Sequence, residues 1–146
     1  MRIGKYGKLL HFDNTSLGIG NIKRFTLIEI KYIGGIIINK FNTIDQDRFH
    51  SHAFGAFSLM IKGWYFEEVI RDNKVYKDLI TTSRFIPKNY IHKIKGSSKD
   101  AISITFEGPW GNTWSEFFDD GRVKVYSWGR KVIFDSKYFN KREEWK

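Results

Sequence analysis

The 146-residue sequence contains no cysteine. Disulfides, iron–sulfur clusters, thiolate zinc sites and cysteine nucleophiles are thereby excluded, and any metal must rest on histidine, carboxylate or carbonyl oxygen. Long apolar runs are missing as well: no segment approaches the ~20 residues of a membrane span. The N-terminus, Met1-Arg2-Ile3-Gly4-Lys5-Tyr6-Gly7-Lys8, is charged and broken by glycine, unlike a secretory leader. A soluble, cytoplasmic protein with no membrane partner is expected. Helical periodicity is hard to find anywhere in the chain, and internal repeats and low-complexity segments are absent.

What the sequence has in abundance is aromatic and β-branched residues. Thirteen Phe, seven Tyr and five Trp accompany 13 Gly, a composition that favours strands joined by turns. The length suits one domain. Thr26 to Lys31 and Gly35-Ile36-Ile37-Ile38-Asn39 read as early strands, the second apolar on both faces. Phe57 to Val69 reads as one long strand. Arg71-Asp72-Asn73-Lys74 offers a hairpin turn, because Asp and Asn tolerate positive φ, and Val75 to Leu79 begins the return strand. Ala101 to Phe106 alternates small or polar residues with large apolar ones, the half-buried strand pattern. Asp119-Asp120-Gly121 signals a second hairpin, leading into Arg122 to Tyr126. Residues 1–25 are expected to form an N-terminal arm or early strand, 26–134 a β-barrel, and 135–146 a polar tail.

The formal charge of +9 raises a polyanionic partner, since clustered Lys and Arg displace counterions from phosphate backbones. The basic residues are instead spread from Arg2 to Lys146, and no nucleic-acid motif accompanies them. A nucleic-acid partner is therefore ranked last.

Only four histidines are present, and their placement is informative. In Arg48-Phe49-His50-Ser51-His52, two are separated by one residue, so on a strand both imidazoles project from one face, roughly 6–7 Å apart at Cα. A third, His92, follows Pro87-Lys88-Asn89-Tyr90-Ile91, a proline-led turn with an Asn able to adopt left-handed φ. The fourth, His11, lies outside both segments.

These residues resemble the motifs of the cupins. That family carries His-x-His followed by a spacer, a Glu and, seven positions later, a Gly; its second motif is Pro-x-Gly-x-x-His. Gly63 stands at the glycine position after His50-Ser51-His52, and Pro87 to His92 matches the second motif with Asn89 in place of Gly. A closer resemblance is to small cupin-like proteins, many phage-encoded, with Ser-Leu-x-Ile-x-Gly after the His pair and an aromatic C-terminal hairpin. Here these are Ser58 to Gly63 and Trp114 to Trp128. The resemblance implies an all-β, single-domain, double-stranded β-helix (a jelly-roll barrel), in host cytoplasm if the chain is phage-encoded. It also implies one divalent ion, Fe(II), Zn, Ni or Mn, held by His50, His52 and His92.

The sequence departs from the family where most cupins place a metal-binding Glu, which here is Ala56. Three neutral imidazoles would then leave the ion's charge without a carboxylate to offset it, favouring anionic ligands. Lys62, projecting to the same side as Ser58 and Met60, is a candidate anion clamp. Tyr65 is a candidate pocket-shaping residue and Glu67 a candidate partner to a ligand or general base; Lys62, Tyr65 and Glu67 thus form the catalytic candidates. Trp64, Tyr65, Phe66, Trp110 and Trp114 could line a pocket, or belong to core or interface.

Two functions follow. One is a mononuclear metal-dependent enzyme, of oxygenase, isomerase or hydrolase type, acting on a small substrate, anionic ones included. The other is a non-catalytic module binding a sugar, nucleotide or other small ligand. A homodimer is expected from the habit of the family.

Overall fold

The computed structural model describes residues 1–3, 7–15, 18–111, 113–118, 120–127 and 131–136. Trp128, Asp119 and nearly all of the expected polar tail lie outside them. Among the described residues there are fourteen strands: β1 (Arg2–Ile3), β2 (Gly7–Thr15), β3 (Gly18–Ile30), β4 (Gly34–Gln46), β5 (Phe49–His50), β6 (Ala56–Lys62), β7 (Tyr65–Arg71), β8 (Lys74–Ile80), β9 (Ser83–Ile86), β10 (Ile91–Ser97), β11 (Ile102–Glu107), β12 (Thr113–Phe117), β13 (Val123–Ser127) and β14 (Lys131–Asp135). They form two seven-stranded antiparallel sheets, ordered β1-β2-β3-β4-β11-β6-β9 and β14-β13-β12-β5-β10-β7-β8. The chain is all-β, as its aromatic and turn-rich composition requires.

Local chemistry accounts for the turns. Asp72 and Asn73 carry φ of 50° and 59°, closing the tight β7–β8 hairpin in which Arg71 pairs with Lys74; both residue types reach this left-handed region at modest cost. Tyr90 N–H donates to the Pro87 carbonyl at 3.1 Å, which turns the chain into β10. Asn89 does not adopt positive φ there, so the turn does without the glycine of the related motif.

The segment from Phe57 to Val69 is not one strand. It breaks at Gly63, where φ is +75°, and the chain passes from β6 in the first sheet to β7 in the second. A Cβ at residue 63 would overlap the Ser98 hydroxyl and press on Ala101, so this crossing requires glycine. The weakly patterned N-terminal stretch also forms strands: β2 and β3 pair from Gly7↔Ile30 to Thr15↔Ile22.

Between the sheets, Phe41, Ile44, Tyr65, Ile94 and Ala101 form a buried apolar cluster, with Ile22, Met60 and Ile80 against it. Phe41 and Tyr65 stack at 5.1 Å. The remaining interior is an open cavity of about 580 Å³ with a mixed polar and apolar lining, whose walls come from both sheets.

Candidate metal centre

Strand pairing brings the three histidines together. His92 on β10 pairs directly with His50 on β5, and directly paired residues project from one face. His52 lies just beyond the end of β5, so the shared-face argument for His50 and His52 holds only at its first residue. A backbone hydrogen bond from Ser51 N to the Ser115 carbonyl, 2.9 Å, fastens the segment to the β12 side. The ring centroids stand 5.1 Å apart for His50–His52, 4.8 Å for His50–His92 and 5.1 Å for His52–His92. One nitrogen from each lies within 4.8 Å of the others, little more than the ~4.2 Å that two metal–nitrogen bonds of ~2.0–2.1 Å can span, so a cation bound there would draw the rings slightly together.

Glu67 sets the orientation of this group. It lies on β7 opposite Ile94, two positions along from the Val69↔His92 pair, and is wholly buried. His92 Nδ1 lies 2.6 Å from Glu67 Oε2. Since a carboxylate only accepts, Nδ1 carries a proton, which leaves Nε2 as the atom of this ring that can ligate. That Nε2 lies 2.9 Å from His52 Nε2, so it faces the histidine group. Arg84 Nη1 and the Tyr90 hydroxyl both donate to Glu67 Oε1. Burial opposes the charge on Glu67, yet the hydrogen bond from His92 and the Arg84 guanidinium outweigh it and hold its pKa at about 2.

The other two imidazoles are kept neutral. Burial, reinforced by His92, pushes His50 down to about 3; burial and the neighbouring histidines push His52 well below its ordinary value. Neutral imidazoles are the form that ligates a metal. His50 Nδ1 is buried without a hydrogen-bond partner among the described residues. The donor set fits a divalent first-row ion.

Of the other candidates, Tyr65 is buried and lines the cavity, and burial pushes its hydroxyl above the ordinary tyrosine value, keeping it protonated. Lys62 does not reach the site. It is exposed at the end of β6, beyond a bulge between Ile102↔Lys62 and Ser103↔Met60, and it is not among the cavity-lining residues. Ser58 lines the cavity, and Met60 packs against the apolar cluster. Ala56 sits buried in the wall with nothing to offer an ion. Trp110 and Trp114 line the cavity with Tyr65, whereas Trp64 and Phe66 are exposed, 39% and 44%. His11 instead contacts Asp13, 3.0 Å away.

Four cavity carboxyls were not legible as site residues: Asp13, Glu29, Glu107 and Glu116. Glu116 pairs in register with His50 and accepts hydrogen bonds from Arg48, 3.5 Å, and from the Tyr126 hydroxyl, 3.1 Å. Its inward placement on β12 follows from the His50 pairing, a long-range contact that no local pattern encodes.

Two facing antiparallel sheets, a polar cavity between them and a histidine cluster at the β5–β10 pair determine the architecture. The fold is that of the cupins. Oxalate decarboxylase from Bacillus subtilis superposes with a TM-score of 0.53 at 11% identity, over 87% of this chain and 33% of its own. CapF, in complex with 3-isopropenyl-tropolone, superposes with a TM-score of 0.50 at 15% identity, over 68% of this chain and 31% of its own. The chain thus spans about one third of the length of either. No protein-family model matches the sequence, and no curated protein matches it. Within this cupin fold, the glycine at position 63 and the His50–His92 pairing give physical content to the two sequence motifs.

Proposed function

We infer that the protein is a mononuclear metal-binding cupin in which His50, His52 and His92 hold one divalent ion, and that it acts as a metal-dependent enzyme on a small oxygen-bearing substrate. The observation that carries this reading is the convergence of three ring nitrogens within 4.8 Å, with the tautomer of His92 fixed by Glu67. A manganese centre in the similarly folded Bacillus subtilis oxalate decarboxylase supports a metal in this fold without choosing its identity. When bound, such an ion supplies Lewis acidity toward a coordinated oxygen. Glu67 holds the proton on His92 Nδ1, Tyr65 presents a protonated hydroxyl, and the aromatic rings of Phe54 and Trp110, 5.4 Å apart, line the cavity. Glu67, paired with Arg84, and Glu116, paired with Arg48, would offset only a small part of the ion's charge that Ala56 leaves uncompensated.

Elemental analysis of untagged protein tests the reading, with the His50→Ala/His92→Ala double variant as the comparison. About one equivalent of a first-row metal is expected in the wild type and less than a tenth of that in the variant. Equal metal content in the two would overturn it.

A second reading, a non-catalytic binding module, is favoured by the size of the cavity and by its aromatic lining. His92→Ala separates the two, because an enzyme loses turnover whereas a stacking site keeps most of its affinity. The chain also pairs with a second copy of itself in this reading, through the outer face of the first sheet.

A further inference from the structure

The second sheet supplies His50 and His92; the first carries a pair of carboxyls that the metal reading leaves unused. Glu29 on β3 and Glu107 on β11 flank Gly35 of β4 in one cross-strand row, since Glu29 pairs with Gly35 and Gly35 with Glu107. Gly35 leaves the space between them clear, and even a Cβ there would press on Glu29. Glu29 lies close enough to Glu107 to raise the pKa of its carboxyl. They are 3% and 6% exposed, and both line the cavity.

The donors around them do not suffice if both are ionised. Arg24 Nη2 donates to Glu107 Oε1 at 3.2 Å, while Glu107 Oε2 is buried with no partner among the described residues. Two carboxylates cannot hydrogen-bond one another; a proton on one provides the donor and removes the repulsion. Burial, then Glu29, push Glu107 well above the ordinary carboxylate range against the pull of Arg24.

We propose that Glu29 and Glu107 share one proton and that Glu107 presents it to an oxygen atom of a small carboxylate- or carbonyl-bearing ligand whose far end reaches the histidines. The placing of that far end rests on the metal reading; the shared proton does not. The surroundings select an acceptor oxygen and not an amine. Trp110 Nε1 is a buried donor that already acts on Glu107 and lowers its pKa, and Arg24 adds a guanidinium.

The groups facing the pair can be named strand by strand. β3 contributes Arg24; β2 contributes Lys8, paired with Glu29 in register, and Asp13, paired with Arg24; β1 contributes Arg2, paired with Lys8 in the same row. The β3–β4 turn contributes Lys31, whose ammonium lies 4.7 Å above the Trp110 ring. β4 and β6 present Gly35 and Ala56, which do not titrate. Across the cavity stand the histidines and Glu116.

The test is a carbon-13 NMR titration of glutamate side-chain carboxyls, on metal-free and zinc-loaded protein. One carboxyl is expected to titrate well above the ordinary ~4.3, to vanish in Glu107→Gln, and to move down by at least one unit in Glu29→Gln. Wild-type glutamates that all titrate in the ordinary range, or a raised carboxyl unmoved by Glu29→Gln, would overturn the proposal. Glycolate binding to the zinc-loaded protein, followed by calorimetry, reads the ligand side. Affinity should weaken about tenfold per pH unit above the pair's midpoint, and Glu107→Gln should lose that slope while keeping its full metal content. An identical slope in the variant refutes the ligand contact. A failed metal reading shows instead as metal-free wild type, and leaves the metal-free titration decisive.

Discussion

Glu67 illustrates how one buried carboxylate can govern a site it does not enter. It accepts from His92, Arg84 and Tyr90 together, so it fixes a ring tautomer on one side and neutralises a largely buried guanidinium on the other. Replacing it with Gln removes the charge that both partners need. Outer-sphere partners of this kind are worth 10- to 100-fold in metal affinity, and a buried ion pair broken on one side costs about 3–5 kcal/mol. Glu67→Gln should therefore bind zinc at least tenfold more weakly in a chelator competition and unfold at lower urea. Unchanged zinc affinity would mean that His92 needs no such anchor. The sequence placed Glu67 among its candidates because it follows the motif glycine on a strand. It could not place Glu29, because a bulge between Thr26 and Ile28 shifts the register of β3. Simple alternation from Arg24 and Thr26 would turn Glu29 outward; the extra residue turns it into the cavity.

At the level of elements, turns were legible and the crossing between sheets was not. The Asp72-Asn73 hairpin was readable because its chemistry is local. The run from Phe57 to Val69 looked continuous because both halves suit a strand, and nothing in a single strand's pattern reports which sheet it joins. Gly63 was the one local signal of a break, and its substitution isolates that contribution. Gly63→Ala imposes positive φ on a residue with a Cβ and drives that atom into Ser98 and Ala101. A cost of about 1–3 kcal/mol follows, lowering Tm by roughly 5–10 °C for a domain of this size. Because Gly63 lies outside the cavity lining, metal content per folded molecule should not change. A variant as stable as the wild type would show that the crossing relaxes at no cost.

For the molecule as a whole, the first sheet presents many polar residues to the cavity beside Ile37 and the Phe41 cluster, and is apolar without. Its inner face carries Arg24, Glu29, Asn39, Ser58, Ser103, Thr105 and Glu107. Its outer face carries two in-register rows: Leu9-Ile28-Ile36-Phe106-Phe57-Phe85, and Phe12-Phe25-Ile38-Ile104-Leu59. Phe12 is 75% exposed and Phe85 68%, and Phe12 stacks on Phe25 at 4.5 Å. The alternation in Ala101 to Phe106 was therefore readable as a strand, yet burial is reversed: a filled core would draw in Ile104 and Phe106, whereas a polar cavity draws in Ser103 and Thr105. An apolar band crossing six strands at ~4.8 Å spacing extends about 24 Å, beyond the scattered exposed residues of an ordinary monomer surface. The whole face, on the order of 1,000 Å² from strand number and length, meets the ~800 Å² per partner that a stable pair requires. A second copy of the chain offers the same band, and a two-fold axis through it sets apolar row against apolar row, with Lys23 and Lys40 at the margin beside the Phe12 row. Sedimentation equilibrium at micromolar concentration should give a dimer for the wild type and a monomer for Phe57→Glu/Phe106→Glu, with metal content retained in both. A wild type that stays monomeric to 100 µM would leave this face without a second copy as its partner, while the histidine site on the opposite sheet would stand unaffected.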